Sequence, residues 1–179
     1  MRGALDALGV SVRGAVALDL GAAAGGFTQA LLEAGAARVY AVDAGSGQLR
    51  GHLRVDPRVV NLERINLAVL NKQIVSDLIE VVTIDLSYIA LADALPQIDA
   101  EMFAPGAHVL ALVKPTYELR AATLVTHTTA VRDAVNAVIQ AITRLGWSVA
   151  GTAPCAVGGS RGAVEVFVHA RVPGTRARC

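Results

Sequence analysis

The chain has 179 residues, of which 54% are hydrophobic and only 4% are aromatic. This length suits a single domain, and a core of alanine and aliphatic side chains fits a sheet covered by helices better than an aromatic-rich sandwich. Sixteen lysines and arginines oppose fifteen acidic residues, so the net charge of +1 argues against a protein that holds a polyanion without help.

Membrane insertion, secretion and metal binding are also disfavoured. The longest uncharged stretch, from Leu145 to Ser160, contains glycines and a proline and is shorter than the roughly 18 apolar residues of a membrane span. Asp6 and Arg13 interrupt the N-terminal apolar residues before a signal peptide can form. Cys155 and Cys179 have no partner at ligand spacing. We therefore predict a cytoplasmic protein with no metal and no membrane partner.

Apolar runs rich in β-branched residues alternate with helical stretches along the chain. The clearest helices are Phe27–Ala34 and Thr126–Leu145, each followed by a glycine that can end a helix. The predicted strands are Ala15–Leu20, Val39–Val42, Val59–Leu62, Glu80–Ile84, His108–Val113 and Val164–His169.

This alternation predicts an α/β fold with a doubly wound, mostly parallel sheet. Pro105-Gly106 predicts a turn before the fifth strand, and Val157–Gly162 predicts a tight connection into a last strand that runs antiparallel. We expect one domain over residues 1–172 and a loose tail over 173–179.

A loop of small residues follows the first predicted strand and leads into the first helix. Gly21 permits a sharp turn there, and Gly25 and Gly26 allow the backbone to approach a ligand. Asp43 ends the second strand, where its carboxylate can accept both hydroxyl protons of a ribose. Asn66 follows the third strand, where its side chain can meet an adenine or, as asparagine in loops usually does, stabilise a turn. These features predict a nucleotide-type cofactor in the crevice beyond the strand ends.

The spacing of this loop favours S-adenosylmethionine over a dinucleotide. Ala23 stands two positions after Gly21, so the pattern G-x-G-x-x-G is not met. An acid at Asp19 repels a pyrophosphate but accommodates the positively charged methionine end of S-adenosylmethionine. The alternative is a structural turn in which Asp19 caps the loop. The predicted cofactor-binding residues are Asp19, Gly21, Ala22, Gly25, Gly26, Phe27, Asp43, Asn66 and Asp85.

Three charged residues stand at strand ends and are candidates for catalysis. Asp85 follows the fourth strand and Lys114 follows the fifth, so both are expected in the same crevice. Glu165 interrupts the last apolar strand and needs either water or a cation beside it. Taken singly, Asp85 can be a cap, Lys114 a solvated lysine and Glu165 an exposed strand residue. Together they indicate a catalytic group.

At these motifs the sequence resembles the TlyA-type, hemolysin-named rRNA 2'-O-methyltransferases of the FtsJ/RrmJ-like superfamily. The resemblance covers about Gly3 to Arg171 and rests on the segments GAAAGGFTQALLEAGAARVYAVDAGSGQL, RVDPRVVNLERIN, VVTIDLSYI, ALVKPTYE and GAVEVFVHAR. It implies a Rossmann-like methyltransferase fold, S-adenosylmethionine as cofactor and an RNA substrate within the ribosomal subunits. It also implies that Asp85, Lys114 and Glu165 are three members of a Lys-Asp-Lys-Glu catalytic tetrad.

The resemblance also implies two features that the sequence does not contain. Extrapolation from Ala4-Leu5 places the first lysine of the tetrad immediately before Met1, and the S4-type RNA-binding domain that precedes the methyltransferase domain in the family is absent. These differences favour one alternative, a cofactor-binding module with impaired catalysis. A methyltransferase that acts on a small molecule is the other alternative. Pore formation, which the hemolysin name suggests, has no supporting segment.

Overall fold

The chain folds into one sheet with helices on both faces. A computed structural model describes residues 1–121, 123, 125–155 and 163–174. The strands are β1 (Val16–Leu20), β2 (Arg38–Asp43), β3 (Val59–Glu63), β4 (Ile79–Ile84), β5 (Phe103–Val113), β6 (Ser148–Pro154) and β7 (Val166–Arg171). The helices are α1 (Arg2–Ala7), α2 (Gly26–Glu33), α3 (Gly51–Arg54), α4 (Leu91–Ala94), α5 (Pro115–Glu118) and α6 (Thr128–Arg144), with short 3-10 turns at Leu67–Val69, Leu95–Gln97 and Ala100–Met102.

The seven strands are ordered β3-β2-β1-β4-β5-β7-β6. The pairs from β3 to β5 are parallel, whereas β7 is antiparallel to both β5 and β6. The predicted α/β class and the antiparallel last strand are therefore confirmed. The strand order reverses at β1, where β2 lies on one side and β4 on the other, and open α/β sheets bind their ligands at such a switch point.

The two faces of the sheet carry separate hydrophobic clusters because successive side chains of a strand point to opposite faces. In β1, Ala17 packs with α1, α2 and α3, whereas Leu18 and Leu20 pack with α4 and α6. Leu31 of α2 and Ile142 of α6 are fully buried on opposite faces. Among the described residues, no helix combines the length and apolar character needed to cross a membrane.

The prediction of a turn at Pro105-Gly106 is wrong. Strand β5 begins at Phe103 and continues through this dipeptide, and the register with β4 shifts between Ile79 and Val81. Gly106 has φ +75, so the extra residues are accommodated as a bulge and do not end the strand. The last strand begins at Val166, two residues later than predicted.

Two elements have no counterpart among the predictions, namely helix α1 and strand β6. Strand β6 contains Gly151 and Pro154, which weaken a strand pattern, but it lies at the sheet edge, where proline is tolerated. The predicted connection Val157–Gly162 lies outside the described residues, as does the tail from residue 175 onward.

Candidate cofactor and catalytic site

The predicted site residues converge at the carboxyl edge of the sheet. Asp43 ends β2, Asp85 follows β4 and Lys114 follows β5. Because β7 runs antiparallel, its first residues lie at this same edge, and continuing the pairing of Val113 with Val166 places Glu165 beside Lys114. Residues that are far apart in sequence therefore meet around one crevice.

A cavity of about 510 Å³ opens at this edge between the ends of β1, β2 and β4. The predicted residues Gly21, Asp43 and Asp85 line it. The other lining residues are Leu20, Ala23, Val42, Ala44, Gly45, Gln48, Ile65, Leu67, Leu86, Ser87 and Tyr88. The volume lies within the range of small-molecule and cofactor sites, and the mixture of apolar walls with a few polar groups is typical of them.

The loop after β1 is fixed to the strands on both sides. The N–H groups of Gly21 and Ala22 donate to the Val42 carbonyl at 2.9 and 3.0 Å, and the Asp85 N–H donates to the Leu20 carbonyl at 2.9 Å. Gly21 has φ +83, and a Cβ atom there would overlap the Asp85 carbonyl. Glycine at position 21 is therefore required by the close approach of the backbone of β4.

Asp43 connects two loops at the rim of the cavity. Its Oδ2 accepts a hydrogen bond from the Ala23 N–H at 2.9 Å, and its Oδ1 accepts one from the Gly45 N–H at 2.7 Å. Ala23 adopts φ +45, which is uncommon for a residue with a side chain. The carboxylate thus holds the loop after β1 and its own loop in place, and each oxygen keeps acceptor capacity for a ligand.

Lys114 is held by two oxygen atoms. Its Nζ lies 2.5 Å from Oδ1 of Asp85 and donates to Oγ of Ser87 at 2.6 Å. The lysine side chain is 15% exposed and the aspartate side chain 30%, so the ion pair is partly shielded from water. Partial burial strengthens a charge pair relative to one on the open surface. The ammonium group is thereby fixed beside two residues of the cavity wall.

Glu165 adds a second carboxyl group near this ion pair. Burial raises the pKa of Glu165, while the positive charge of Lys114 lowers it and the negative charge of Asp85 raises it further. The ion pair of Lys114 with Asp85 and the register of β5 with β7 bring the three predicted catalytic residues into one cluster. Neither Lys114 nor Glu165 lines the cofactor cavity, so the charged cluster lies at its border.

Asp19 lies beneath the loop and is fully buried. Its two oxygens accept hydrogen bonds from the hydroxyl groups of Thr28, at 2.6 Å, and Thr83, at 2.8 Å. Burial raises the pKa of Asp19 from 3.8 to about 6, although the two threonine hydrogen bonds lower it. Asp19 thus connects β1 to α2 and β4. Because it does not line the cavity, it can contribute to cofactor binding only through its charge.

The raised pKa of Asp19 predicts a pH-dependent stability. The folded state binds this proton more tightly than the unfolded state, so the contribution of Asp19 to stability falls as the pH rises from about 4 to about 6. The Asp19→Asn variant lacks this titration. We expect its free energy of unfolding to exceed that of the parent chain by roughly 1–3 kcal/mol at pH 7, with the difference vanishing near pH 4. Urea unfolding across this pH range measures it.

Asp56→Asn is the matched control because the pKa of Asp56 is shifted in the opposite direction to that of Asp19. Hydrogen bonds from Arg58 lower the pKa of Asp56 to about 2. Its contribution to stability is therefore present above the ordinary aspartate pKa and is lost as the pH falls toward about 2. A difference between Asp19→Asn and the parent chain that stays constant with pH would contradict the buried titration.

Several predicted cofactor residues do not line the cavity. Ala22 and Gly25 shape the loop, and a Cβ atom on Gly25 would overlap the side chains of α3 and the loop before it. Gly26 begins α2, and Phe27 packs on Phe167 with ring centroids 5.8 Å apart. The role of these residues in binding stays a prediction.

The Asn66 side chain stabilises a turn. Its Oδ1 accepts the Ala68 N–H at 3.0 Å and caps the short turn after β3. Its neighbours Ile65 and Leu67 line the cavity instead. An adenine contact from the Asn66 side chain therefore stays a prediction, and the apolar walls on either side of it are found only in the structure.

Other site residues were not predicted from the sequence. Ser87 and Tyr88 follow Asp85 directly, so the end of β4 was a usable signal for both. Burial raises the pKa of Tyr88 and the charge of Asp43, which lines the same cavity, raises it further. Gln48 lies in the loop between β2 and α3, where no spacing or motif identifies it.

The fold and this site define a Rossmann-like, S-adenosylmethionine-dependent methyltransferase. The N-methyltransferase NodS of Bradyrhizobium japonicum has the same fold, with a TM-score of 0.65 and 16% identity over 96% of this chain and 91% of that one. The model of the FtsJ-like methyltransferase family matches residues 1–172, and the chain belongs to this family.

Similar proteins with higher identity include the 16S/23S rRNA (cytidine-2'-O)-methyltransferase TlyA of Mycobacterium tuberculosis. It is 39% identical over 180 aligned residues, which cover 98% of this chain and 67% of that protein. A structure from Streptococcus thermophilus that bears a hemolysin name has a TM-score of 0.89 and 31% identity, over 96% of this chain and 64% of that one. The chain thus spans about two thirds of the length of these relatives.

Proposed function

We propose that the chain transfers a methyl group from S-adenosylmethionine to a ribose 2'-hydroxyl of ribosomal RNA. The observation that carries the proposal is the Lys114 ammonium group, held between Asp85 and Ser87 at the border of a nucleotide-sized cavity. The relative from M. tuberculosis is named for methylation of cytidine in 16S and 23S rRNA. Cytidine is therefore the first nucleotide to test.

The residues of the cavity fit S-adenosylmethionine. The Asp43 carboxylate has acceptor capacity beyond its two backbone hydrogen bonds, which suits a pair of ribose hydroxyls. Ile65 and Leu67 provide apolar walls for an adenine ring, and Gly21 leaves room close to the backbone. The buried charge of Asp19 lies under the loop and favours a cation above it. When bound, the cofactor supplies a methyl group on a positively charged sulfur.

Positioning is the main catalytic task of the chain in this proposal. The cavity and the charged cluster share Asp85 and Ser87, so a ribose placed over Lys114 also lies at the border of the cofactor cavity. A 2'-hydroxyl held there in line with the methyl group reacts as in a unimolecular step, which removes a large part of the entropic barrier. The rigid attachment of Lys114 limits the misalignment of the reacting atoms.

The second task is to stabilise charge on the ribose oxygen. The ammonium group of Lys114 stabilises the negative charge that develops as the hydroxyl loses its proton. Asp85 and Ser87 fix that ammonium group, and Glu165 adds a second carboxyl group near it. The half-buried Glu165 side chain is in contact with solvent, and the hydroxyl proton leaves to water along this side. No metal ion is required for these steps.

Product analysis tests the proposed function. The chain is incubated with tritium-labelled S-adenosylmethionine and isolated ribosomal subunits, and the RNA is digested to nucleosides that are separated by mass. We expect the label in 2'-O-methylcytidine. Label in a methylated base would refute ribose methylation. Label found only in the small-molecule extract of the reaction, with none in RNA, would also refute it and favour another acceptor.

Cofactor selectivity gives an independent prediction. We expect S-adenosylmethionine and S-adenosylhomocysteine to bind in the cavity while NAD does not, because the loop lacks the dinucleotide spacing and the buried acid Asp19 repels a pyrophosphate. Isothermal titration calorimetry of the chain with each ligand measures the affinities. Heat from NAD with no response to S-adenosylhomocysteine would reverse the assignment of the cofactor.

A further inference from the structure

A second groove of about 440 Å³ lies beside the cofactor cavity. Tyr88 lines both and forms the ridge between them. The residues that line the groove are Tyr88, Ile89, Ala90, Asp93, Thr116, Tyr117, Arg120 and Ala121. Its far wall is helix α5, which begins at Pro115, directly after Lys114. The groove therefore begins where the charged cluster ends.

The groove combines aromatic side chains with a cation. The chain contains only three tyrosines, and two of them, Tyr88 and Tyr117, line this groove. Tyr117 is 39% exposed, so a broad aromatic surface faces solvent beside a cation, Arg120. An exposed aromatic ring next to an arginine is the combination with which proteins bind single-stranded nucleic acid.

The groove is preformed because its two walls are bonded to each other. Glu118 of α5 accepts hydrogen bonds from the N–H groups of Leu91, at 2.6 Å, and Ala92, at 3.3 Å, at the start of α4. Burial raises the pKa of Glu118, and these two N–H groups lower it. A side chain on one wall thus fixes the backbone of the other, so little ordering is needed when a ligand binds.

Arg120 stands in an uncommon backbone conformation. Its φ of +49 is in the left-handed region, and the segment is held by hydrogen bonds from Arg120 N–H to the Tyr117 carbonyl and from Ala121 N–H to the Thr116 carbonyl. The left-handed conformation costs free energy in a residue other than glycine. Proteins retain it most often at functional sites.

The guanidinium group of Arg120 is available to a ligand. It pairs with Asp93 at 3.1 Å, but the two side chains are 80% and 50% exposed. An exposed ion pair of this kind contributes little to stability, so Arg120 can exchange Asp93 for a phosphate at small cost. A phosphate also accepts two parallel hydrogen bonds from a guanidinium group.

We propose that this groove binds the nucleotide next to the one that is methylated, with its base stacked on Tyr117 and its phosphate bound by Arg120. The proposal rests on the proposed function, because it requires an RNA strand whose target ribose lies over Lys114. That strand continues past the ridge at Tyr88 into the groove. The subsite selects single-stranded RNA, since a paired and stacked base cannot lie against the tyrosine ring.

RNA binding by single variants tests this subsite. The probe is a fluorescent single-stranded decaribonucleotide pool of random sequence, titrated with the chain in saturating S-adenosylhomocysteine. Tyr117→Ala removes the stacking surface, and we expect affinity to fall by about fivefold to a hundredfold. Arg120→Ala removes one phosphate contact, and we expect the slope of log affinity against log salt to decrease in magnitude by about 0.7.

Two matched controls and one ion-pair variant distinguish a role in RNA binding from a role in the local structure. Leu119→Ala and Arg132→Ala change exposed neighbours outside the groove, and both are expected to bind RNA like the parent chain. Asp93→Asn breaks the same ion pair but keeps the guanidinium group of Arg120 in the groove. We expect its RNA affinity to equal or exceed that of the parent chain, because the phosphate contact is retained.

The outcomes distinguish this proposal from the proposed function. A parent chain that binds S-adenosylhomocysteine but not the decaribonucleotide pool overturns the groove, whereas methyl transfer to ribosomal subunits tests the proposed function separately. A parent chain that binds RNA equally well as Tyr117→Ala and Arg120→Ala overturns the groove alone. A loss of RNA affinity in Asp93→Asn equal to that in Arg120→Ala assigns Arg120 a structural role and also overturns it. Cofactor affinity, measured by calorimetry, is expected to be unchanged in every variant.

Discussion

The Asp43→Ala variant is expected to bind S-adenosylhomocysteine about fivefold to a hundredfold more weakly than the parent chain. In the proposed function the Asp43 carboxylate accepts hydrogen bonds from the ribose, and hydrogen bonds to charged groups contribute roughly 1.5–3 kcal/mol. Its loss also releases the N–H groups of Ala23 and Gly45, which loosens two walls of the cavity. Titration calorimetry gives the affinity, and circular dichroism shows that the variant remains folded.

Asp56→Ala is the matched control for this variant. Asp56 also accepts a backbone hydrogen bond, from Arg58 at 2.9 Å, and does not line the cavity. Both substitutions remove a carboxylate that stabilises a turn, but only Asp43→Ala removes one from the cofactor site. Equal cofactor affinity in folded Asp43→Ala and Asp56→Ala would show that Asp43 does not bind the ribose.

Strand ends carried most of the information that the sequence contained about the site. A parallel sheet brings the residues that follow its strands to one edge, so Asp43, Asp85 and Lys114 could be placed together from apolar runs alone. Glu165 belongs to the same group only because β7 is antiparallel, so that its first residue and not its last lies at this edge. Glu165 was grouped with them because it interrupts an apolar run and because of the family resemblance, and not because of the direction of the last strand.

Local patterns were a weaker guide to the loops. Asp19 stands on β1 between hydrophobic residues, and only the packing of α2 and β4 shows that Thr28 and Thr83 take both of its oxygens. The Asn66 side chain bonds to its own turn, as asparagine often does, which a motif cannot distinguish from ligand binding. Edge strand β6 was missed because its pairing with β7 depends on tertiary contacts and not on its own pattern.

The largest expected effect on turnover comes from Lys114→Met. This change removes the only cation held by the charged cluster, and the loss of one positioned electrostatic group commonly lowers the rate by a factor of about 10² to 10⁴. S-adenosylhomocysteine affinity is expected to stay within about twofold of the parent value, because Lys114 does not line the cavity and its ion-pair partner Asp85 can take up water. Methyl transfer to ribosomal subunits, measured at saturating cofactor, reports the rate.

Two further variants serve as comparisons for Lys114→Met. Lys72→Met removes the only other lysine of the chain, which is exposed and outside the site, and should leave the rate unchanged. Ser87→Ala keeps the charge of Lys114 and its ion pair with Asp85 but removes the 2.6 Å hydrogen bond, so we expect a loss between those of the other two variants. If Lys114 acts as a positioned charge, the rates fall in the order Lys72→Met, Ser87→Ala, Lys114→Met. A Lys114→Met rate equal to that of Lys72→Met would remove Lys114 from the mechanism.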